Sequence, residues 1–125
     1  MFASKTKTSA IAGAILLITS AAHAGSFGAI AYSIETGSYG YSTGYSYRQA
    51  AESAAHDYCY QNGASDCNTV IWFNNACGAL SLSSNGVYGA AYNASIGRAQ
   101  NAAIDYCVAN GGDGCYLEIS DCSFE

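Results

Sequence analysis

Apolar and polar positions along the chain change period three times, and then the same succession is written again. Phe27 to Ser33 is an apolar run of strand length. Glu35-Thr36-Gly37 breaks it with turn residues, and Ser38 to Gly44 returns as a second strand of tyrosines alternating with small residues. Ala50, Ala51, Ala54, Ala55, Tyr58 and Cys59 then recur at helical spacing. Ser46 and Gln49 offer a capping box at the start, and Gly63 offers a left-handed stop at the end. Thr69 to Phe73, with Trp72, closes the unit as a third strand. The second copy reads Ala79 to Ser83, a turn at Ser84-Asn85-Gly86, and Val87 to Tyr92. A helix follows on Ile96, Ala99, Ala102, Ala103, Tyr106 and Cys107, with a stop at Gly111 and a strand from Tyr116 to Ser120. Asn-Gly between apolar runs predicts a hairpin, because both residues tolerate positive φ. The second helix can begin at Asn93 or Ser95, and Gly97 weakens its first turn by about 1 kcal/mol relative to alanine.

The two copies match residue by residue. Tyr58-Cys59, Asn62-Gly63 and Cys67 return forty-eight positions later as Tyr106-Cys107, Asn110-Gly111 and Cys115. Ala51, Ala54, Ala55 and Asp57 map onto Ala99, Ala102, Ala103 and Asp105. Gly28-Ala29-Ile30 and Tyr39-Gly40 recur as Gly78-Ala79-Leu80 and Tyr88-Gly89. This predicts an α+β fold of two pseudo-symmetric β-β-α-β repeats, residues 27–77 and 78–122, with antiparallel strands and two alanine-faced helices. One repeat could not cover both its helix and its sheet, so the two share one core. The sequence has no proline, linker or charge run, and residues 25–125 read as one domain.

The first 24 residues stand outside that pattern. Lys5 and Lys7, the apolar stretch Ile11 to Ile18 and Ala22-His23-Ala24 read as a signal peptide cleaved after Ala24. No later run approaches roughly 18 apolar residues, so no stable membrane insertion is expected. Without the leader, Arg48 and Arg98 face nine carboxylates, a formal charge of 2 − 9 = −7, and no lysine remains. Such a surface repels phosphate backbones and anionic lipid, which excludes nucleic acid and favours a basic partner.

All six cysteines follow the leader, as expected of disulfides in an exported protein, and no C-x-x-C knuckle suggests zinc. If the repeats fold alike, Cys59–Cys67 and Cys107–Cys115 are equivalent local loops. Cys77–Cys122 is then left to cross the pseudo-symmetry axis.

Candidate chemistry is sparse. Tyr39, Tyr41, Tyr45 and Tyr47 alternate with Gly40, Ser42, Gly44 and Ser46, which in a strand sets the rings on one face. They and Trp72 are candidate binding residues, since tyrosine offers stacking area with a polar tip. The same face equally serves as the buried side a sheet requires. His56, one turn after Glu52, is the only histidine after the leader. The pair could do acid–base work, yet the helical wheel turns it away from the alanine face and toward solvent. Asp57, Asp105, Asp113 and Glu118 are nominal carboxylates for glycoside hydrolysis, although no spacing sets two of them across a cleft. Asp57 and Asp105 recur in both copies, which points to a structural duty. No catalytic residue and no cofactor is assigned.

Gly28 to Ser33, the strand through Tyr39-Gly40-Tyr41, the alanine-rich helix ending at Cys59, and Val70 to Phe73 with Asn75 to Leu80 resemble the bacterial family catalogued as domain of unknown function 4189. The resemblance spans the chain after the leader. It implies a secreted or periplasmic protein and brings no activity or catalytic residues with it. The expectation is an exported, disulfide-stabilised binding module acting on an extracytoplasmic protein or glycan, with inhibitor and immunity-type roles included. A carboxylate-based hydrolase of cell-wall or other polysaccharide is the alternative.

Overall fold

A computed structural model describes residues 25–125; the leader read into residues 1–24 lies outside them. The first unit comprises β1 (Phe27–Tyr32), β2 (Tyr39–Tyr45), α1 (Arg48–Gln61) and β3 (Asn68–Asn74). The second comprises β4 (Ala76–Leu82), β5 (Tyr88–Asn93), α2 (Ile96–Ala109) and β6 (Tyr116–Ser123). The strands form two three-stranded antiparallel sheets, ordered β2-β1-β3 and β5-β4-β6.

The layers run helix, sheet, sheet, helix. Ala51, Ala55 and Cys59 of α1 pack on Ala29 and Ala31. Ala99 and Ala103 of α2 pack on Ala79 and Ala91. Between the sheets lie Ile30, Tyr32, Phe73, Ala76 and Leu80. The central strands β1 and β4 are therefore covered on both faces, which is why they read as unbroken apolar runs.

Glycine sets how closely the layers approach. A Cβ on Gly40 would overlap the Ala55 carbonyl oxygen and the Cys59 nitrogen; one on Gly89 would overlap the corresponding atoms of Ala103 and Cys107. Each helix thus rests its own backbone on a bare stretch of strand. Between the sheets, the Phe73 ring fills the space over Gly28 of one unit and Gly78 of the other.

The ends of the elements depart from the sequence reading at two places, the start of α1 and the second hairpin, and at the start of α2 they select one of the two residues it offered. The Ser46–Gln49 capping box does not form: α1 starts at Arg48, Tyr47 is its N-cap, and no side chain caps it. In α2 the N-cap is Ser95, whose N–H donates to the Asn93 side chain at 3.0 Å. The second hairpin pairs Leu82 with Tyr88 across a five-residue loop, in which Gly86 (φ 84°) alone takes positive φ. Asn85 is used otherwise, its amide donating to the Gly111 carbonyl at 2.9 Å and tying the hairpin to the loop after α2.

Three disulfides staple the fold. Cys59–Cys67 and Cys107–Cys115 each tie the last turns of a helix to the approach of the following strand. Cys77–Cys122 does not cross the pseudo-symmetry axis. Its cysteines stand opposite each other on β4 and β6, both in the second unit. Register gives the reason: the units meet at Asn75 (φ 53°), ahead of Cys77, so Cys77 belongs to β4. The matching pair in the first unit is Phe27 opposite Asn74. Three disulfides point to an oxidising, extracytoplasmic setting. Among the described residues no helix is long and apolar enough to cross a membrane.

Two phenols link the units. Burial, with neighbouring Tyr116 and Tyr88, raises Tyr32 above its ordinary 10.0. Burial and a hydrogen bond to Glu118 raise Tyr39 likewise. A pKa raised by folding stabilises the protein below the unfolded value and is lost as pH climbs through the folded one. Stability should hold to about pH 10 and fall above it. A Tyr39→Phe variant should fall less steeply in alkaline urea titrations, and an unchanged slope would dismiss the Tyr39 contribution.

Candidate functional site

Every fourth residue of α1 from its start lines one side of a groove whose other wall is β3. Arg48, Glu52, His56 and Tyr60 form this row, which the helical repeat places on a single face. One hollow of about 550 Å³ is lined by Arg48, Glu52, Thr69, Trp72 and Tyr92 among others. A second, of about 410 Å³, is lined by Glu52, His56, Asp57, Tyr60 and Thr69 among others. They share Glu52 and Thr69 and so form one continuous trough.

Its interactions are specific. The Arg48 guanidinium lies 4.2 Å from the centre of the Trp72 ring, and Phe27 stacks on that ring at 6.3 Å. Arg48 Nε donates to Glu52 at 3.2 Å, which leaves the terminal nitrogens of the fork available. The His56 Nε2 is 2.8 Å from Thr69 Oγ1, and its ring meets Tyr60 edge-on. Glu52 and His56 are therefore not a solvated pair. Each is half-buried against the groove and has its own partner.

The second unit supplies an internal comparison. Register and offset place Ile96, Gln100, Ile104, Val108, Leu117 and Ser120 where the first has Arg48, Glu52, His56, Tyr60, Thr69 and Trp72. Both units fold alike, so the fold does not need the polar row.

The tyrosine strip is dispersed. Gly44 (φ 80°) forms a bulge in β2, where the register shifts between Phe27 and Ala29. The shift reverses the alternation. Tyr39 packs between the sheets, Tyr41 stays on that side at the open edge, and Tyr45 turns to the helix side. Tyr47 leaves the strand altogether as the exposed N-cap of α1. Tyr41, Tyr45 and Tyr58 of α1 instead line a separate hollow of about 600 Å³ at the β2 edge. Trp72 sits in the α1–β3 groove.

The nominal carboxylates do not converge. Asp57 and Asp105 are exposed on the two outer helices, with both sheets between them. Glu118 accepts the Tyr39 hydroxyl, and Asp113 lies in the loop before β6 with its backbone bonded to Asn85 and Ser84. Among the described residues no group of three His, Cys, Asp or Glu side chains could hold a metal. Arg48, Thr69, Tyr60 and Tyr92 escaped the sequence reading. The signal for the first and third was present in the four-residue spacing from Arg48 to Tyr60, which the second helix does not share.

These features define a small, disulfide-stapled α+β module with an open groove in one of two matching units. The chain belongs to the family described as "Domain of unknown function (DUF4189)", whose model matches residues 27–122. No curated protein and no solved structure matches it.

Proposed function

We propose that the protein is an exported, non-enzymatic binding module that seats an extracytoplasmic protein or glycan in the α1–β3 groove. The observation that carries this reading is the asymmetry between the units: one framework, used twice, bears a charged and aromatic row once. Side chains that a fold can do without, held in fixed positions along a trough, are suited to recognition. Trp72 and Tyr92 supply apolar area with polar edges, and Arg48 supplies oriented donors. The acidic surface favours a partner of opposite charge. Immobilised mature protein should retain a partner from envelope or extracellular extracts, and Trp72→Ala should reduce that retention about tenfold. Equal retention by the variant would move the site elsewhere.

A hydrolase is the second reading, favoured by one contact. The His56–Thr69 hydrogen bond has the spacing of a base and a hydroxyl nucleophile, with Glu52 and Asp57 in the same hollow. Turnover of a cell-wall polysaccharide that vanishes in His56→Ala and Glu52→Gln variants would replace the binding reading with this one.

A further inference from the structure

We propose that the edge of β2 is a second interaction surface, which takes a short extended segment of a basic protein as an added strand. The backbone is open there. The Ser33 N–H donates to the Ser38 carbonyl at 2.9 Å, and antiparallel alternation from that pair puts Gly40 and Ser42 in the ladder with β1. The N–H and C=O of Tyr41 consequently face away from the sheet. The ends of this edge are closed: the Asn62 amide donates to the Tyr39 carbonyl at 2.9 Å, and the Gly44 N–H donates to Ser123 Oγ at 2.9 Å. What stays open is a stretch of about three residues centred on Tyr41, long enough for a local strand pairing and too short for open-ended assembly.

The hollow beside that stretch decides the chemistry of the occupant. Its walls are Tyr41, Tyr45 and Tyr58, with the bare backbone of Gly40 between them. Tyr41 and Tyr58 are 38% and 51% exposed, so their ring faces are accessible to a cation. Glu35 lies in the adjoining turn, while Arg48 is ten residues back along α1, about 15 Å away. The C-terminal end of α1 adds its negative dipole end to the same corner. Tyrosine faces, the Glu35 carboxylate in the adjoining turn and, among the described residues, no cation lining the hollow fit lysine or arginine side chains carried on an extended backbone.

The test uses two synthetic probes against the mature protein: a short peptide alternating lysine with valine, and its glutamate–valine counterpart. The basic peptide should bind, protect the Tyr41 amide from hydrogen exchange, and weaken steeply as salt rises to about 0.5 M. Tyr41→Lys and Tyr58→Ala, both at exposed rings, should each weaken it about tenfold, with unfolding midpoints unchanged. Binding of the basic peptide without protection at Tyr41, equal binding of the acidic peptide, or no binding of either would overturn the proposal. So would preferential binding of a neutral oligosaccharide that shifts the same tyrosines. The groove variant Trp72→Ala should leave this peptide's affinity unchanged, so failure here and failure of the α1–β3 reading are separable.

Discussion

Gly40→Ala is expected to destabilise the protein by at least about 3 kcal/mol, although alanine ordinarily improves on glycine within a strand. The added methyl would occupy the space of the Ala55 carbonyl oxygen and the Cys59 nitrogen. These are backbone atoms and cannot rotate aside. Nor can α1 retreat easily, because Cys59 is bonded to Cys67 at the start of the next strand. Gly89→Ala should behave alike against Ala103 and Cys107, where the second disulfide anchors α2. Stabilities of about 5–15 kcal/mol are usual, so either change removes a large part of the total. Urea unfolding gives the answer directly. Midpoints within about 0.5 kcal/mol of the parent would show that the helices do not rest on these glycines.

Phe73→Ala should cost about 3–5 kcal/mol, and its interaction with a glycine substitution should reveal why. The ring is 2% exposed and lies between Gly28 and Gly78, so one side chain fills the joint between both units. Its counterpart in the second unit is Asp121, opposite Gly78, which offers no second ring to share the load. The three atoms nearest to a methyl on Gly78 all belong to the Phe73 ring. Gly78→Ala should therefore be damaging in the parent and nearly neutral in the Phe73→Ala background. Simple additivity of the two changes would contradict the packing described.

The parts of the fold that were legible in the sequence are those that depend on close backbone approach. Alanines at helical spacing, the Tyr-Gly pairs and the Gly-Ala-aliphatic starts recur because each unit must bring a helix down on a strand. Their offset alone fixes two like units. Division of the strands into two stacked sheets left no such mark, since a strand buried on both faces reads the same in either arrangement. The tyrosine strip was misleading for a local reason. A single bulge at Gly44 reverses the alternation, and a period-two pattern cannot show where it breaks. The groove was partly legible. Glu52 and His56 stood out by type, while Thr69, Trp72 and Tyr92 join them only through the packing of α1 beside β3. Polar residues off the alanine face read as solvated until that neighbouring strand is in place.

Exchange of the row for its own counterparts is the most direct test of the binding role. Arg48→Ile, Glu52→Gln, His56→Ile, Thr69→Leu and Trp72→Ser give the first unit the side chains that the second already carries on the same framework. The five-fold variant should unfold cooperatively, with its three disulfides intact, and should fail to retain the partner that the parent captures from envelope or extracellular extracts. Undiminished capture by the folded variant would contradict the assignment of the groove as the binding site.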